Sequence, residues 1–164
     1  MLPIRRILHP TDFSESCRPA FELACSLARD YSASLVLAHV VPPTHVFAPD
    51  GIAVPFPAEE PYEARARLAR IHPTDRSVEV EHRLLEGDPA EMILRLARDA
   101  SADIIVMGTH GSSGLTRLLV GSVAESVMRK APCPVLTVRQ PSRIAPAHAP
   151  EPAPKARPNR VAVA

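Results

Sequence analysis

Two stretches of this chain are apolar at almost every position rather than at every second one: Ser34-Leu35-Val36-Leu37-Ala38-His39-Val40-Val41 and Asp103-Ile104-Ile105-Val106-Met107. A strand with one wet face alternates, whereas a strand written this way is covered on both sides, as in a parallel sheet between two layers of helices. The segments between the strands support that reading. Phe21, Ala24, Cys25 and Ala28 keep helical spacing after a short apolar strand at residues 4–9, and Ile93, Leu96, Ala97 and Ala100 keep it before residue 103. Ala124, Val127, Met128 and Ala131 do the same before a last strand, Val135–Val138. Residues 78–86 have the mixed pattern of a sheet edge, and a modest helix is expected at residues 61–71. Strands alternating with helices require right-handed crossovers, so the expected fold is α/β: a single open five-stranded parallel sheet, doubly wound, with helices on both faces.

Several boundaries can be read from capping chemistry. Pro19 is tolerated only in a first turn, which points to Ser16 as N-cap and Pro19 as the third helical residue. Gly87-Asp88-Pro89-Ala90-Glu91 is a complete helix start, with Asp88 as the cap and Pro89 in the first position. Ser122-Val123-Ala124-Glu125 has the form of a capping box, and Pro132 ends that helix. Residues 42–60 contain Pro42, Pro43, Pro49, Pro55 and Pro57 and are expected to be a long surface loop without regular structure.

Composition narrows the class of partner. Of 19 prolines, six fall after residue 140, which separates a domain at residues 1–139 from a tail at 140–164 that is expected to be disordered. In that tail Arg143, Lys155, Arg157 and Arg160 outweigh Glu151, so the folded part is slightly acidic and has no nucleic-acid signature. No apolar run reaches membrane-spanning length, and the first residues break into proline and histidine too early for a secretory signal. Cys17, Cys25 and Cys133 are odd in number and form no C-x-x-C, which fits reduced packing residues in a cytoplasmic protein.

The chemistry concentrates after the fourth strand, in Gly108-Thr109-His110-Gly111, nine further residues, and Gly121-Ser122. Glycines let main chain approach an anion with no Cβ in the way, and a helix opening at Ser122 points N–H groups and partial positive charge at it. Ligands of parallel sheets bind beyond the carboxyl ends of strands where strand order reverses. The second loop at such an end is Pro10-Thr11-Asp12-Phe13-Ser14. Local sequence leaves Asp12 open between bracing its own turn and binding a ribose, and His110 open between a phosphate contact and plain solvation. Ser122 could accept the N–H near Glu125 while offering its own N–H and hydroxyl to a ligand. His9 and His39 are expected to be partly buried and neutral. No His/Cys cluster suggests a metal site, so any Mg2+ would come with phosphates.

Gly-x2-Gly-x9-Gly-Ser at Gly108, Gly111, Gly121 and Ser122, together with Pro10-Thr11-Asp12-Phe13-Ser14, resembles the universal stress protein family. The run from Gly114 to Glu125 and the closing Ala131-Pro132-Cys133-Pro134-Val135-Leu136-Thr137-Val138 extend the likeness over residues 4–139. The resemblance implies a nucleotide-binding, α-hydrolase-like sheet, a homodimer through Val135–Val138 and, in the branch that keeps these glycines, ATP binding. By position, it implies that Asp12 holds the ribose hydroxyls and that Pro10, Thr11, Val40 and Met107 line the adenine and ribose slot. Gly108, His110, Gly111, Gly121, Ser122 and Val123 would surround the phosphates. The segment at 42–60 departs from the family by being richer in proline and shorter in helix.

Efficient phosphoryl transfer needs a cation on the transferring group and a residue that positions the nucleophile. The only lysines are Lys130 and Lys155, far from the glycines in sequence. The expectation is therefore an adenine-nucleotide-binding, stress-related regulatory module with slow or no hydrolysis. A slow ATPase and a dimeric scaffold without nucleotide are the rival readings.

Overall fold

The computed structural model describes residues 4–43, 45–47, 53–55, 60–109 and 121–139. The sheet strands are β1 (Arg6–Pro10), β2 (Ser34–Val41), β5 (Val80–Glu86), β6 (Ile104–Gly108) and β7 (Val135–Val138). They lie in the order β5-β2-β1-β6-β7, and every neighbouring pair is parallel. This is the open five-stranded sheet expected from the continuous apolar runs, with β5 and β7 at its two edges.

Residue parity sorts the helices onto two faces. Ile7, Leu35 and Val106 pack with Ala20, Ala24 and Ala28 of α1 (Arg18–Tyr31), a stripe of alanines that lets this helix lie close on the strands. Phe21 and Cys25 flank that stripe, partly buried. The alternate residues Leu8, Val36, Ala38, Val40, Ile105 and Met107 pack on the other face. There they meet Ile93, Leu94, Leu96 and Ala97 of α3 (Pro89–Asp99) and Ala124 and Val127 of α4 (Ser122–Lys130). The α3 start is as the sequence spells it: Asp88 accepts the Glu91 N–H at 2.9 Å and Pro89 is the first helical residue.

Four expectations are corrected. Residues 42–60 contain a short antiparallel ribbon, β3 (His45–Phe47) with β4 (Ala53–Pro55), because Pro55 pairs with His45 at the end of a two-stranded ribbon, where a missing N–H need cost no ladder bond. Ser16 is not an N-cap. Residues 15–17 close as a 3-10 turn with the Cys17 N–H on the Ser14 carbonyl at 3.1 Å, so α1 starts at Arg18 with Cys17 in the cap position and Pro19 still within the first turn. The helix at 61–71 is the shorter α2 (Pro61–Leu68), which buries only Ala64 and Leu68. Met128 does not join the buried face of α4 and is 40 % exposed.

Candidate functional site

The chain runs from β1 outward to β2 and β5, then returns to the other side of β1 for β6 and β7. Strand order therefore reverses between β1 and β6, and their carboxyl ends open a crevice. Pairing registers show the opening directly: β1 keeps five register partners in β2 but only Ile7 with Ile104 and Leu8 with Ile105 in β6. Pro10 explains it. The Thr11 N–H bonds to Ala38 in β2, so alternation would aim an N–H at residue 10 toward β6, and proline has none. The Val106 carbonyl takes its proton from His9 Nδ1 instead, at 2.7 Å. His9 is fully buried, and burial holds its pKa down to about 4, so the ring is neutral with its proton on Nδ1. Its Nε2 has no hydrogen-bond partner among the described residues. His39 is likewise buried.

Beyond Pro10 the chain turns tightly. Asp12 Oδ1 accepts the Ser14 N–H at 3.0 Å, Ser14 Oγ at 2.6 Å and Cys17 Sγ at 2.9 Å, so the carboxylate does brace its own turn. Phe13 adopts a left-handed φ of 63°, costly for a bulky residue, and is held from several sides. Its N–H donates to Thr11 Oγ1 at 3.1 Å, its ring lies 4.1 Å from that of His39, and the Arg67 guanidinium of α2 sits 4.3 Å over its centroid. His39 Nδ1 in turn donates to the Thr11 carbonyl at 2.7 Å. The turn is thus clamped from the α1 and α2 face of the sheet.

On the opposite face, β6 ends at Gly108 and leads to the start of α4. The Thr109 N–H donates to Val138 at 3.1 Å and the Thr109 carbonyl accepts the Gly121 N–H at 2.8 Å, so residues 109 and 121 are joined at the base of the glycine loop. Gly121, which has no side chain to cap with, is the N-cap, and Ser122 is the first helical residue. The capping box expected at Ser122 is therefore absent. Glu125 donates its N–H to the Gly121 carbonyl at 2.9 Å and directs its carboxylate to Arg129 at 3.6 Å, along the helix rather than back to its start. The N–H groups of Ser122, Val123 and Ala124 precede the first intrahelical bond, where the macrodipole is positive.

Val40, Met107 and Val123 belong to the same apolar cluster, so the expected slot residues share one face with the opening of α4. Pro10, Thr11 and Asp12 stand at the end of the neighbouring strand. Gly121 contributes less than expected as a donor, because its N–H is spent on Thr109. His110 and Gly111 lie outside the described residues, as does the tail at 140–164. Reading the sequence alone missed Cys17 as a partner of Asp12, the Phe13–His39–Arg67 stack and the His9–Val106 bond. Only Cys17 had a usable signal, since an Asx turn running into a 3-10 turn brings residue i+5 back over residue i.

The family model described as the universal stress protein family matches residues 3–139. A universal stress protein of Methanocaldococcus jannaschii is 33% identical over 150 residues, covering 85% of this chain and 84% of the relative. Among solved structures, M. jannaschii protein MJ0577 superposes with a TM-score of 0.70 at 27% identity, over 86% of this chain and 99% of its own. A universal stress protein crystallised in complex with cAMP superposes with a TM-score of 0.58 at 27% identity, over 84% of this chain and 98% of its own.

Proposed function

Because the chain belongs to the universal stress protein family, we propose that it is an adenine-nucleotide-binding regulatory protein, with ATP as the ligand, that works as a dimeric module with slow or no hydrolysis. The observation that carries this reading is the start of α4, where Gly121 brings no side-chain cap to the three leading N–H groups and the Ser122 hydroxyl, on the same face as Val40 and Met107 and across the switch point from Asp12. This donor set fits a polyphosphate, and the neighbouring apolar residues fit a base.

The conformation of Gly121 adds support. At φ −60° and ψ 148° any residue would be comfortable, and glycine there leaves no Cβ beside the leading N–H groups, which suits a phosphate lying against them. In this reading Pro10, Thr11, Val40 and Met107 flank adenine and ribose. Gly108, Gly121, Ser122 and Val123, with His110 and Gly111 from the loop, surround the phosphates. A ribose hydroxyl would donate to the Asp12 carboxylate, which three donors on Oδ1 hold in place. Any Mg2+ would be held through the phosphates.

Slow or absent hydrolysis is supported by what the described residues of the site offer: amides that bind ground state and transition state alike lower no barrier. Lys130 ends α4, at the opposite end from the amides, and Glu125 is turned toward Arg129. A homodimer through β7 is supported by its edge position and by Leu136 and Met128, which are 37 % and 40 % exposed. A cytoplasmic location is supported by three free cysteines.

Calorimetric titration of the full chain with ATP, ADP, AMP and cAMP, with and without Mg2+, tests the reading. ATP binding at micromolar to millimolar Kd, with a matching rise in Tm, is expected. No heat and no rise at millimolar ATP would make this a dimeric scaffold. Phosphate release that Gly121→Val abolishes would make it a slow ATPase.

A further inference from the structure

Three donors on one carboxylate oxygen are more than a surface turn needs, and they come from two places in the chain. Ser14 supplies its N–H and its hydroxyl, while Cys17 supplies its thiol from the far side of the 3-10 turn. Ser14 has a single hydroxyl proton and it is spent on Asp12. In the 2.7 Å contact between Ser14 Oγ and Ser16 Oγ, Ser16 must therefore be the donor, so a chain of hydroxyls polarises toward Asp12. Ser14 alone would let the carboxylate pivot about one neighbour. A second anchor at residue 17 fixes its plane.

Cys17 is 8 % exposed and its burial matches the role. Burial raises its thiol to about pKa 11, with the adjoining Asp12 carboxylate adding to the shift, so at physiological pH the group keeps its proton and remains a donor.

We propose that Cys17 is a positioning residue for the nucleotide site: its S–H fixes the orientation of the Asp12 carboxylate toward the ligand's ribose hydroxyls without itself touching the ligand. This rests on the reading of Asp12 as the ribose acceptor. Cys17 thereby sets how strongly the site distinguishes a ribonucleotide from one lacking those hydroxyls.

The test compares ATP with 2′,3′-dideoxy-ATP, which shares base and phosphates and lacks both hydroxyls. Full-length Cys17→Ala is expected to bind ATP about threefold to tenfold more weakly and dideoxy-ATP unchanged, with Cys17→Ser restoring most of the loss. In an Asp12→Ala background, Cys17→Ala is expected to change neither affinity further. Should alanine at 17 prevent folding, Ser14→Ala removes another donor from the same oxygen at a partly exposed position and must give the same hydroxyl-selective loss. Equal weakening for both nucleotides, or none for either, overturns the role of Cys17 while leaving nucleotide binding intact. A wild-type chain that binds neither nucleotide overturns the site itself, and Cys17 with it.

Discussion

The Arg67 guanidinium lies 4.3 Å above the centroid of the Phe13 ring, so a helix between β4 and β5 caps the turn that follows β1. The left-handed backbone of Phe13 is offset by this stack and by contact with the His39 ring. A double-mutant cycle with Arg67→Met and Phe13→Leu, read by urea midpoints, is expected to give a coupling of about 0.5–1 kcal/mol. A coupling near zero would show that the contact contributes no energy to the turn.

His9 makes stability fall in mild acid. Its native pKa, lowered by burial to about 4, lies below the ordinary 6.5, so as pH falls the unfolded chain takes up a proton first. The His9 contribution is complete above about pH 6.5 and is lost progressively down to about pH 4, a total of about 3 kcal/mol. Urea unfolding from pH 7.5 to 4.5 measures it. His9→Gln, which can still donate to the Val106 carbonyl, is expected to flatten that limb.

Gly121→Val separates folding from binding. Its φ and ψ suit a β-branched residue, so the substituted chain is expected to keep its far-ultraviolet dichroism and most of its thermal stability. Calorimetry is expected to show at least a tenfold loss of ATP affinity, because side-chain carbons would stand where the phosphates approach α4. Retained affinity would remove the phosphates from that position.

Two serines occupy helix ends that favour glycine. Ser32 and Ser101 have φ of 53° and 49° after α1 and α3, and the residues following them, Ala33 and Ala102, close the helices by bonding back to Ala28 and Ala97 at 2.8 and 2.9 Å. Ser32→Gly and Ser101→Gly are each expected to stabilise the fold by about 0.5–1 kcal/mol in equilibrium denaturation.

The exposed Leu136 of β7 supplies a test of assembly. Leu136→Lys puts a charge in the middle of the edge strand and is expected to convert a dimer to a monomer at micromolar concentration. Light scattering reads the mass. A wild-type chain that is already monomeric there ends the proposal of a β7 interface.

The sequence alone determined the layering. Runs such as Ser34–Val41 and Ile104–Gly108 call for strands covered on both faces, their alternation with helical segments makes the sheet parallel, and Asp88 with Pro89 marks a helix start; these are local statements about periodicity and orphaned N–H groups. Tertiary structure decided what meets across the switch point. That Pro10 leaves Val106 to His9, that Cys17 returns to Asp12, and that Gly121 rather than Ser122 caps α4 depend on which of several competent donors reaches an acceptor first, across 97 residues for His9 and 5 for Cys17. Residue types state what can bond, and only the closed chain settles the distances at which it does.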